Sequence, residues 1–459
     1  GLNLTRANTL QGRKVGYKGV LSVGRVQTPV LGLVARRDRE IDDFVSSPFY
    51  EVLAWVHPVG EAAQSFKARW QPSEACSAYL DEEGRVLSLA LAENVVSRIS
   101  QKEGEVRSLS CKPKQQAAPL PFSLSALQIE AGKRFGLSAK QVLDGCQTLY
   151  ERHQLITYPR SDSRHLPKTH FEQGKSVLNA LSANLPQLEV GVEGADQTLK
   201  GRAWNDAKVD AHHAIIPSAK KADVKRLSGA ELKIYELIAR QYIMQFYPPH
   251  RFDETKVEIL IAGGLFTAQS KYVKDNGWKE VQLQSKKARY PEGAGADETQ
   301  VQLLPALSVG QRLFCTKGEC LDKQTQPPKA FTDASLLAAM TGIARFVVDK
   351  DIRLVLKETD GLGTEATRAG IIELLFKRKF LSRQGKSIRA TATGRALVSS
   401  LPESTTVPDM TARWESQLNA MLEGQTNYQD FMAELLPNLQ RLLDESCANL
   451  PHALKGLSA

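Results

Sequence analysis

Two kinds of hydrophobic pattern alternate along the chain. Apolar residues at helical spacing predict helices over residues 2–19 and 26–40. Alternation of apolar and polar residues over 49–89, and again over 252–315, predicts strands. Because the two strand-rich blocks flank a helical stretch, we expect one β domain built from both blocks, with a helical domain inserted between them.

Shorter elements follow from the same periodicities. Helices are predicted near 91–102 and over 123–135, 139–152 and most of 166–247, with a polar loop at 190–210. Strands are predicted over 105–109, 155–158, 257–261, 266–272 and 279–283. Three prolines indicate a linker over 112–121. The loops at 190–210 and 284–298 have no predicted role.

Residues 364–397 show helix, strand, turn, strand and helix in succession, which is a winged-helix pattern. Taken together, the patterns predict a multidomain α+β fold of five segments. Residues 1–46 are the helical first part of a DNA-binding domain, and 327–459 are its winged-helix second part. Residues 47–116 and 249–326 are two parts of a β-rich domain, and 117–248 are a helical domain that carries Tyr158.

Composition narrows the class of protein. A length of 459 residues suggests about three domains. No apolar run reaches the length of a membrane span, which excludes an integral membrane protein, and no secretion leader is visible. The chain opens on Gly1 and not on Met, as expected of a fragment of something longer. Six scattered cysteines indicate free thiols in a reducing cytoplasm and disfavour a zinc ribbon.

Basic residues cluster in two segments that lack any Asp or Glu. Residues 1–37 and 374–402 each contain seven Lys and Arg side chains, within a chain of net charge +9. Two such segments favour a polyanion, in particular nucleic acid, over a solvated helix face or a membrane surface. The segments contain Arg6, Arg13, Lys14, Lys18, Arg25, Arg36, Arg37, Lys377, Arg378, Lys379, Arg383, Lys386, Arg389 and Arg395.

The segment L-I-T-Y-P-R-S-D-S-R-H, residues 155–165, carries the candidate chemistry. Tyr158 ends a predicted strand, where the following proline stops the ladder and presents the hydroxyl at a rim. A tyrosine hydroxyl is a weak nucleophile at neutral pH, and nearby Arg160 and Arg164 would stabilise both a phenolate and a phosphate under attack. The alternative is a structural tyrosine with surface arginines, and these eleven residues alone favour it.

A second polar cluster, D-A-H-H-A-I-I-P, spans residues 210–217. Two adjacent histidines with no nearby cysteine make a poor metal site, so structural histidines are the default. His212 becomes a candidate for catalysis only if the fold brings it close to Tyr158.

Five segments in sequence resemble motifs of the type IA DNA topoisomerases. I-T-Y-P-R-S-D-S at 156–163 is similar to the active-site signature, and S-V-G-R-V-Q-T-P at 22–29 to a motif that contacts the bound strand. P-F-S-L-S-A-L-Q at 121–128, A-H-H-A-I-I-P at 211–217 and G-L-G-T-E-A-T-R at 361–368 are similar to three further motifs. The Tyr-Pro-Arg variant and the lack of zinc ribbons resemble the topoisomerase III branch.

The resemblance implies a type IA topoisomerase-like arch, with winged-helix or CAP-like helical domains and a β-rich hinge domain. It also implies an ATP-independent isomerase that cuts one DNA strand through a 5′-phosphotyrosine link and relaxes or decatenates DNA. Tyr158 would be the nucleophile, Arg160 would neutralise the phosphate, and His212 would assist through a hydrogen-bonded network. The implied DNA-binding residues are Asn3, Arg6, Gln11, Lys18, Ser22, Val23, Gly24, Arg25, Val26, Gln27, Ser161, Asp162, Arg164, Thr364 and Arg368.

One feature of the family is not found in the sequence. Complete members begin with a TOPRIM domain whose carboxylates hold Mg²⁺, and Gly1 resembles the point just after that domain. No Asp-x-Asp-x-Glu cluster occurs, so we expect no metal ligands on this chain, and Mg²⁺ bound instead by a separate TOPRIM-containing segment. The expected partner is single-stranded DNA, bound by a monomer. The alternative is a non-catalytic single-stranded DNA-binding fragment, while a nuclease or a tyrosine recombinase is disfavoured.

Overall fold

The computed structural model describes residues 1–286, 302–347, 350, 353 and 361–457. The chain forms two compact units. The helical unit contains Gly1–Asp43, Leu120–Gln245 and Pro328–Ala459, and the barrel unit contains Phe44–Pro119 and Phe246–Pro327. The finer division into five segments stays a prediction.

The barrel unit is a closed, antiparallel barrel of six strands in the order β1-β2-β5-β4-β3-β6. Its strands are β1 Pro48–Pro58, β2 Phe66–Gln71, β3 Lys102–Gln116, β4 His250–Ile261, β5 Gly264–Asp275 and β6 Arg312–Gln324. Both strand-rich blocks of the sequence therefore contribute to one sheet. Closure pairs the edges that an open sheet would leave exposed.

Alternation along the strands produces the barrel core. In β1 the side chains of Val52, Ala54 and Val56 are buried, while the residues between them are partly exposed. Helix α3, Leu89–Ile99, packs against β1 and β6. Gly318 in β6 permits this approach, because a Cβ there would lie 3.0 Å from the backbone of Val96.

Two predictions in the barrel unit were wrong. The strand predicted over 279–283 is helix α10, Lys279–Lys286. The apolar pattern over 279–283 rests on two residues, of which Val281 is buried and Leu283 is exposed. The alternation of apolar and polar residues there was too short to indicate a strand with one buried face. The linker predicted over 112–121 begins as β3, which continues to Gln116. Pro113 is tolerated because β3 pairs with β6 only over residues 102–105, so beyond them the side of β3 away from β4 has no strand pairing that needs an N–H. Most of the segment 284–298 lies outside the described residues.

The helical unit is built from helices and one two-stranded sheet. The helices are α1 Leu2–Lys14, α2 Gln27–Asp42, α4 Leu124–Phe135, α5 Ala139–Glu151, α6 Thr169–Glu172, α7 Gly174–Asn184, α8 Glu189–Glu193, α9 Gly229–Ile243, α11 Asp333–Thr341, α12 Glu365–Lys377, α13 Ala392–Ser400, α14 Glu403–Thr406, α15 Asp409–Leu422 and α16 Tyr428–Ala448. The sheet pairs β7, Leu381–Gln384, with β8, Ser387–Ala390. The elements predicted over 364–397 are thus confirmed, whereas their function as a DNA-binding winged helix stays a prediction.

Hydroxyl side chains begin several of these helices. Ser123 accepts the Ala126 N–H, and Ser138 forms a reciprocal capping box with Gln141. Such caps satisfy backbone donors that have no partner within the helix. They explain why α4 and α5 begin within a residue of the predicted positions.

Two helical predictions were too long. The helix predicted over 2–19 ends at Lys14, because Gly16 adopts a φ of +93° and the Tyr17 N–H turns back to the Gly12 carbonyl at 3.0 Å. Lys18 therefore lies beyond the end of the helix. In the segment predicted as mostly helical over 166–247, with a polar loop at 190–210, irregular backbone continues beyond that loop to residue 228 and contains a short 3₁₀ turn and isolated bridges but no α-helix.

A buried ion-pair cluster joins α2 to the region of β8 and α13. The Asp38 carboxylate is buried, accepts the Ala390 N–H at 2.7 Å, and lies 3.2 Å from Arg389 and 3.4 Å from Arg395. Asp42 pairs with the same two guanidinium groups at the surface. Two arginines of the late basic segment are thus neutralised by acids from the start of the chain.

Candidate active site and nucleic-acid interface

The backbone pairs the tyrosine segment with the histidine segment. The Thr157 N–H donates to the Ile216 carbonyl at 2.9 Å, and the Ser218 N–H donates to the Leu155 carbonyl at 2.9 Å. The Thr157 hydroxyl adds a bond to the Ala214 carbonyl at 3.2 Å. The strand predicted over 155–158 is, however, only an isolated bridge between Ile156 and Pro217. Prolines at 159 and 217 lack the N–H groups that would extend a ladder.

Two aromatic rings hold the ring of Tyr158. The imidazole of His212 stacks on it, with centroids 4.8 Å apart and an interplanar angle of 16°. Tyr150, near the end of α5, meets it edge-on at 5.9 Å and 88°. Both arrangements are favoured between aromatic rings. Tyr158 remains 40% exposed, so its ring is fixed in place and still open to solvent.

The placement of His212 differs in one respect from the expectation. The fold brings His212 to Tyr158, as a catalytic assignment required. Within the described residues, however, neither side chain forms a hydrogen bond with the other or with a neighbour. The contact between them is ring stacking, so the hydrogen-bonded network expected around His212 is not present in this structure.

Arg160 is exposed beside this stack. Its guanidinium makes a long contact of 3.4 Å with Gln147 Oε1, and the Gln147 amide donates to Glu151 at 2.9 Å. Helix α5 therefore supplies both Tyr150 against Tyr158 and Gln147 against Arg160. These two α5 residues were missed from sequence, since nothing in the helical spacing distinguishes them from other positions outside the buried face.

The rest of the tyrosine loop is held by its own polar groups. The fully buried Ser161 accepts the Leu124 N–H at its carbonyl and the Ser163 N–H at its hydroxyl. The Arg164 guanidinium donates to the carbonyls of Leu120 and Pro121 at 2.8 and 2.9 Å. Burial, and then the charge of Arg202, lowers the pKa of Arg164. These placements do not fit the predicted DNA contacts of Ser161 and Arg164, whereas Asp162 is exposed.

His213, the neighbour of His212 in sequence, contacts another histidine. His213 meets His170 edge-on with centroids 4.5 Å apart. Burial first, and then His213, lowers the pKa of His170. The pKa of nearby His165 is also lowered, by burial and then by Lys208 and two arginines. The lowered pKa values of His170 and His165 favour their neutral forms, which is typical of histidines with a packing role.

The first group of residues predicted to bind DNA is divided between surface and core. Asn3, Arg6 and Lys18 are exposed. Gln11 is buried and donates to the Cys447 carbonyl, and Val23 is buried with its N–H bound to Thr5. The burial of Gln11 and Val23 does not fit side-chain contacts with DNA.

Residues 22–27 form the turn into α2. The Gly24 N–H donates to the Thr28 hydroxyl at 3.0 Å, and exposed Arg25 pairs with Glu415. Ser22, Val26 and Gln27 are partly buried. An acid on α15 therefore competes with any phosphate for Arg25.

The late motif begins α12. Thr364 is its exposed N-cap residue. Arg368 is only 1% exposed and bonds to Ser125, Glu365 and the Leu362 carbonyl, so it does not fit the predicted DNA contact. Gly361 has a φ of +83°, and a Cβ there would lie 2.4 Å from the Met340 carbonyl oxygen, so the turn into α12 requires glycine.

Several cations of the basic segments remain exposed. Arg383 pairs with Asp333 and Glu373. In the described part of the two basic segments, the exposed basic side chains without an ion pair are Arg6, Arg13, Lys14, Lys18, Lys377, Arg378 and Lys386. These seven retain the charge that a polyanion would require.

The described residues do not fit a metal site. They contain no group of three or more His, Cys, Asp or Glu side chains that could hold an ion. The ring contacts of Tyr158 are with Tyr150 and His212, neither of which supplies a carboxylate for Mg²⁺, so no step is assigned to Mg²⁺ on this chain. None of the described helices combines the length and apolarity that a membrane span needs.

Comparisons with known proteins place this arrangement in a class. The structure of full-length topoisomerase I from Thermotoga maritima superposes with a TM-score of 0.63 over 97% of this chain and 68% of that chain, at 21% identity. That likeness confirms the expected multidomain α+β fold of a type IA topoisomerase. The family model described as "DNA topoisomerase" matches residues 1–433.

Sequence relatives agree. The chain is 54% identical to DNA topoisomerase 3 of Pasteurella multocida, covering 97% of this chain and 69% of the relative. It is 53% identical to DNA topoisomerase 3 of Salmonella typhimurium, covering 100% and 69%. The chain therefore belongs to the type IA DNA topoisomerases, a family of isomerases.

Proposed function

We propose that this chain cleaves and rejoins single-stranded DNA in the manner of a topoisomerase III, with Tyr158 as the nucleophile. The observation that carries the proposal is the Tyr158 ring, which is 40% exposed, held between His212 and Tyr150, and followed by exposed Arg160. Within the described residues the Tyr158 hydroxyl has no hydrogen-bond partner, so it is available to a substrate.

The proposed reaction is a transesterification. The phenol oxygen bonds to a backbone phosphorus and loses its proton, while the bond from that phosphorus to the 3′ oxygen breaks. The products are a 5′-phosphotyrosine and a 3′-hydroxyl, which takes up a proton. One phosphoester replaces another, so no ATP is needed, and attack by the 3′-hydroxyl reverses the step. Passage of a second strand or duplex while the break is open would relax or decatenate the DNA.

Charge is the contribution of Arg160 to this step. Its guanidinium stays protonated and presents paired donors to phosphate oxygens. The contact of 3.4 Å with Gln147 is too long to hold it strongly, which leaves donors available for the substrate. Neutralising charge that develops in the transition state is usually the largest single contribution to catalysis.

Strand binding is proposed for four exposed residues of the predicted set that are not acidic and have no ion pair within the described residues. Asn3, Arg6 and Lys18 are open to solvent, as is Thr364 at the start of α12. Phosphate contacts by cations release counterions, so the affinity should fall steeply with salt. Mg²⁺ and a TOPRIM-containing segment remain predicted partners, and the experiment below includes them.

The test is a covalent adduct. The chain is incubated with a labelled single-stranded oligonucleotide and Mg²⁺, with and without a TOPRIM polypeptide, and then denatured. We expect an adduct with the wild type and none with Tyr158→Phe. The matched control is Tyr150→Phe, which removes the hydroxyl of a neighbouring tyrosine of nearly equal exposure, 39%.

Two results would contradict the proposal. An adduct that persists in Tyr158→Phe assigns the chemistry to another residue. Salt-sensitive binding with no adduct in either arm supports the alternative, a non-catalytic single-stranded DNA-binding protein.

A further inference from the structure

Two helix starts meet at one carboxylate in the helical unit. Glu365 is the first residue of α12, and its Oε2 accepts the Ser125 N–H from the first turn of α4 at 2.5 Å. Its Oε1 accepts from the Arg368 guanidinium at 3.0 Å, and the same guanidinium donates to the Ser125 hydroxyl at 2.9 Å. The Glu365 side chain is only 13% exposed.

This cluster has a clear electrostatic basis. A helix N-terminus carries partial positive charge from N–H groups without partners in the helix, and a carboxylate is favourable there. Glu365 is the first residue of α12 and accepts an N–H from the first turn of α4, so its carboxylate lies at the start of both helices. It also accepts a hydrogen bond from the Arg368 guanidinium. Burial raises the pKa of Glu365, while its bonds with Ser125 and Arg368 oppose that shift by favouring the charged form.

The first turn of α4 also holds the tyrosine loop. The Leu124 N–H, adjacent to that of Ser125, donates to the Ser161 carbonyl at 2.9 Å. Ser161 is fully buried and follows Arg160 directly. Two consecutive N–H groups of one helix turn therefore bind Glu365 on one side and the loop of Tyr158 on the other.

Resting on the proposed nucleophilic role of Tyr158, we propose that Glu365 is a positioning residue for the cleavage step. Its carboxylate fixes the first turn of α4, and this turn fixes the loop that carries Tyr158 and Arg160. The body of α4 is held separately, since a Cβ added at Gly132 would lie 3.0 Å from the Cβ of Ala334 in α11. Loss of the carboxylate should therefore loosen the turn without detaching the helix.

The test separates cleavage from binding. Glu365→Ala, Glu365→Gln and the control Glu373→Ala are compared, because Glu373 lies on the same helix but pairs with exposed Arg383. A small displacement of a reacting group can cost on the order of 100-fold. We expect adduct formation by Glu365→Ala to be slower by about tenfold to 100-fold, with oligonucleotide affinity within about twofold of wild type.

The Gln variant tests the charge and guards against misfolding. Its amide oxygen still accepts the Ser125 N–H and its volume is unchanged, so the loss should be smaller than in Glu365→Ala. The Glu373→Ala control should match the wild type. Wild-type adduct rates in both Glu365 variants, or an equal loss of affinity and rate, would overturn the positioning role.

Hydrogen exchange supplies a readout that is independent of catalysis. In Glu365→Ala the amides of residues 124–125 and 161–163 should exchange faster, while those of 368–376 in α12 stay protected. If the wild type forms no adduct in any arm, the proposed function fails, and the exchange rates alone decide whether Glu365 holds the loop. Unchanged exchange at 124–125 and 161–163 would contradict the inference.

Discussion

Replacing His212 tests what its ring contributes to the reactivity of Tyr158. The stacked geometry, at 4.8 Å and 16°, places the imidazole over the face of the phenol and not in line with its hydroxyl. An aromatic pair of this kind contributes about 0.5–1.5 kcal/mol beyond burial. If that energy is lost only from the reactive conformation, His212→Ala should slow adduct formation by about 2- to 13-fold, at about 1.36 kcal/mol per tenfold.

A second variant separates packing from proton transfer. His212→Phe keeps a ring in the stack and removes both nitrogens, so we expect its adduct rate to lie within about twofold of wild type on the same scale of stacking energies. General acid–base catalysis by the imidazole would contribute about 100- to 10,000-fold. Rates are measured by quenching into denaturant at saturating oligonucleotide, with His452→Phe as the control at an exposed site. A loss beyond about 100-fold in both His212 variants would refute the packing role.

Two further predictions concern stability. Asp38→Asn should lower the free energy of unfolding by roughly 3 kcal/mol, since it leaves a buried cluster incomplete. Asp42→Asn, at the exposed end of the same cluster, should lower it much less, because solvent screens that pair; urea unfolding midpoints measure both. Burial and the neighbouring His213 lower the pKa of His170, so the unfolded chain takes up a proton first as the pH falls through about 6.5, and stability decreases with falling pH in that window. His170→Phe should therefore flatten the dependence of Tm on pH below 7.

Each of these has a contrary outcome. Equal midpoints for Asp38→Asn and Asp42→Asn would mean that burial of the Asp38 carboxylate adds nothing to the cluster. A Tm profile as steep in His170→Phe as in the wild type would assign the pH dependence to other groups.

Local chemistry explains what could be predicted from the sequence. Ser123 and Ser138 begin helices because a hydroxyl satisfies the first N–H groups, whatever the rest of the chain does. Alternating burial in β1 follows from the period of a strand. The strand prediction over 279–283 was wrong because five residues are too few for their spacing to distinguish a strand from a helical turn.

Long-range contacts decided the rest. The basic segment 374–402 contains no acidic residue, but the fold brings acids from elsewhere in the chain close to it. Asp38 and Asp42 form ion pairs with Arg389 and Arg395. The motif residue Arg368, expected on DNA, is instead buried against Ser125. The stack of His212 on Tyr158 likewise depends on a pairing between two distant segments.

The sequence by itself determined the family motifs, the candidate nucleophile and most helices and strands, because these depend on neighbouring residues and their spacing. Only the tertiary structure decided which motif side chains face solvent and which charges are already paired. Burial and electrostatic interaction depend on distance in space, and the separation of residues along the chain does not specify that distance.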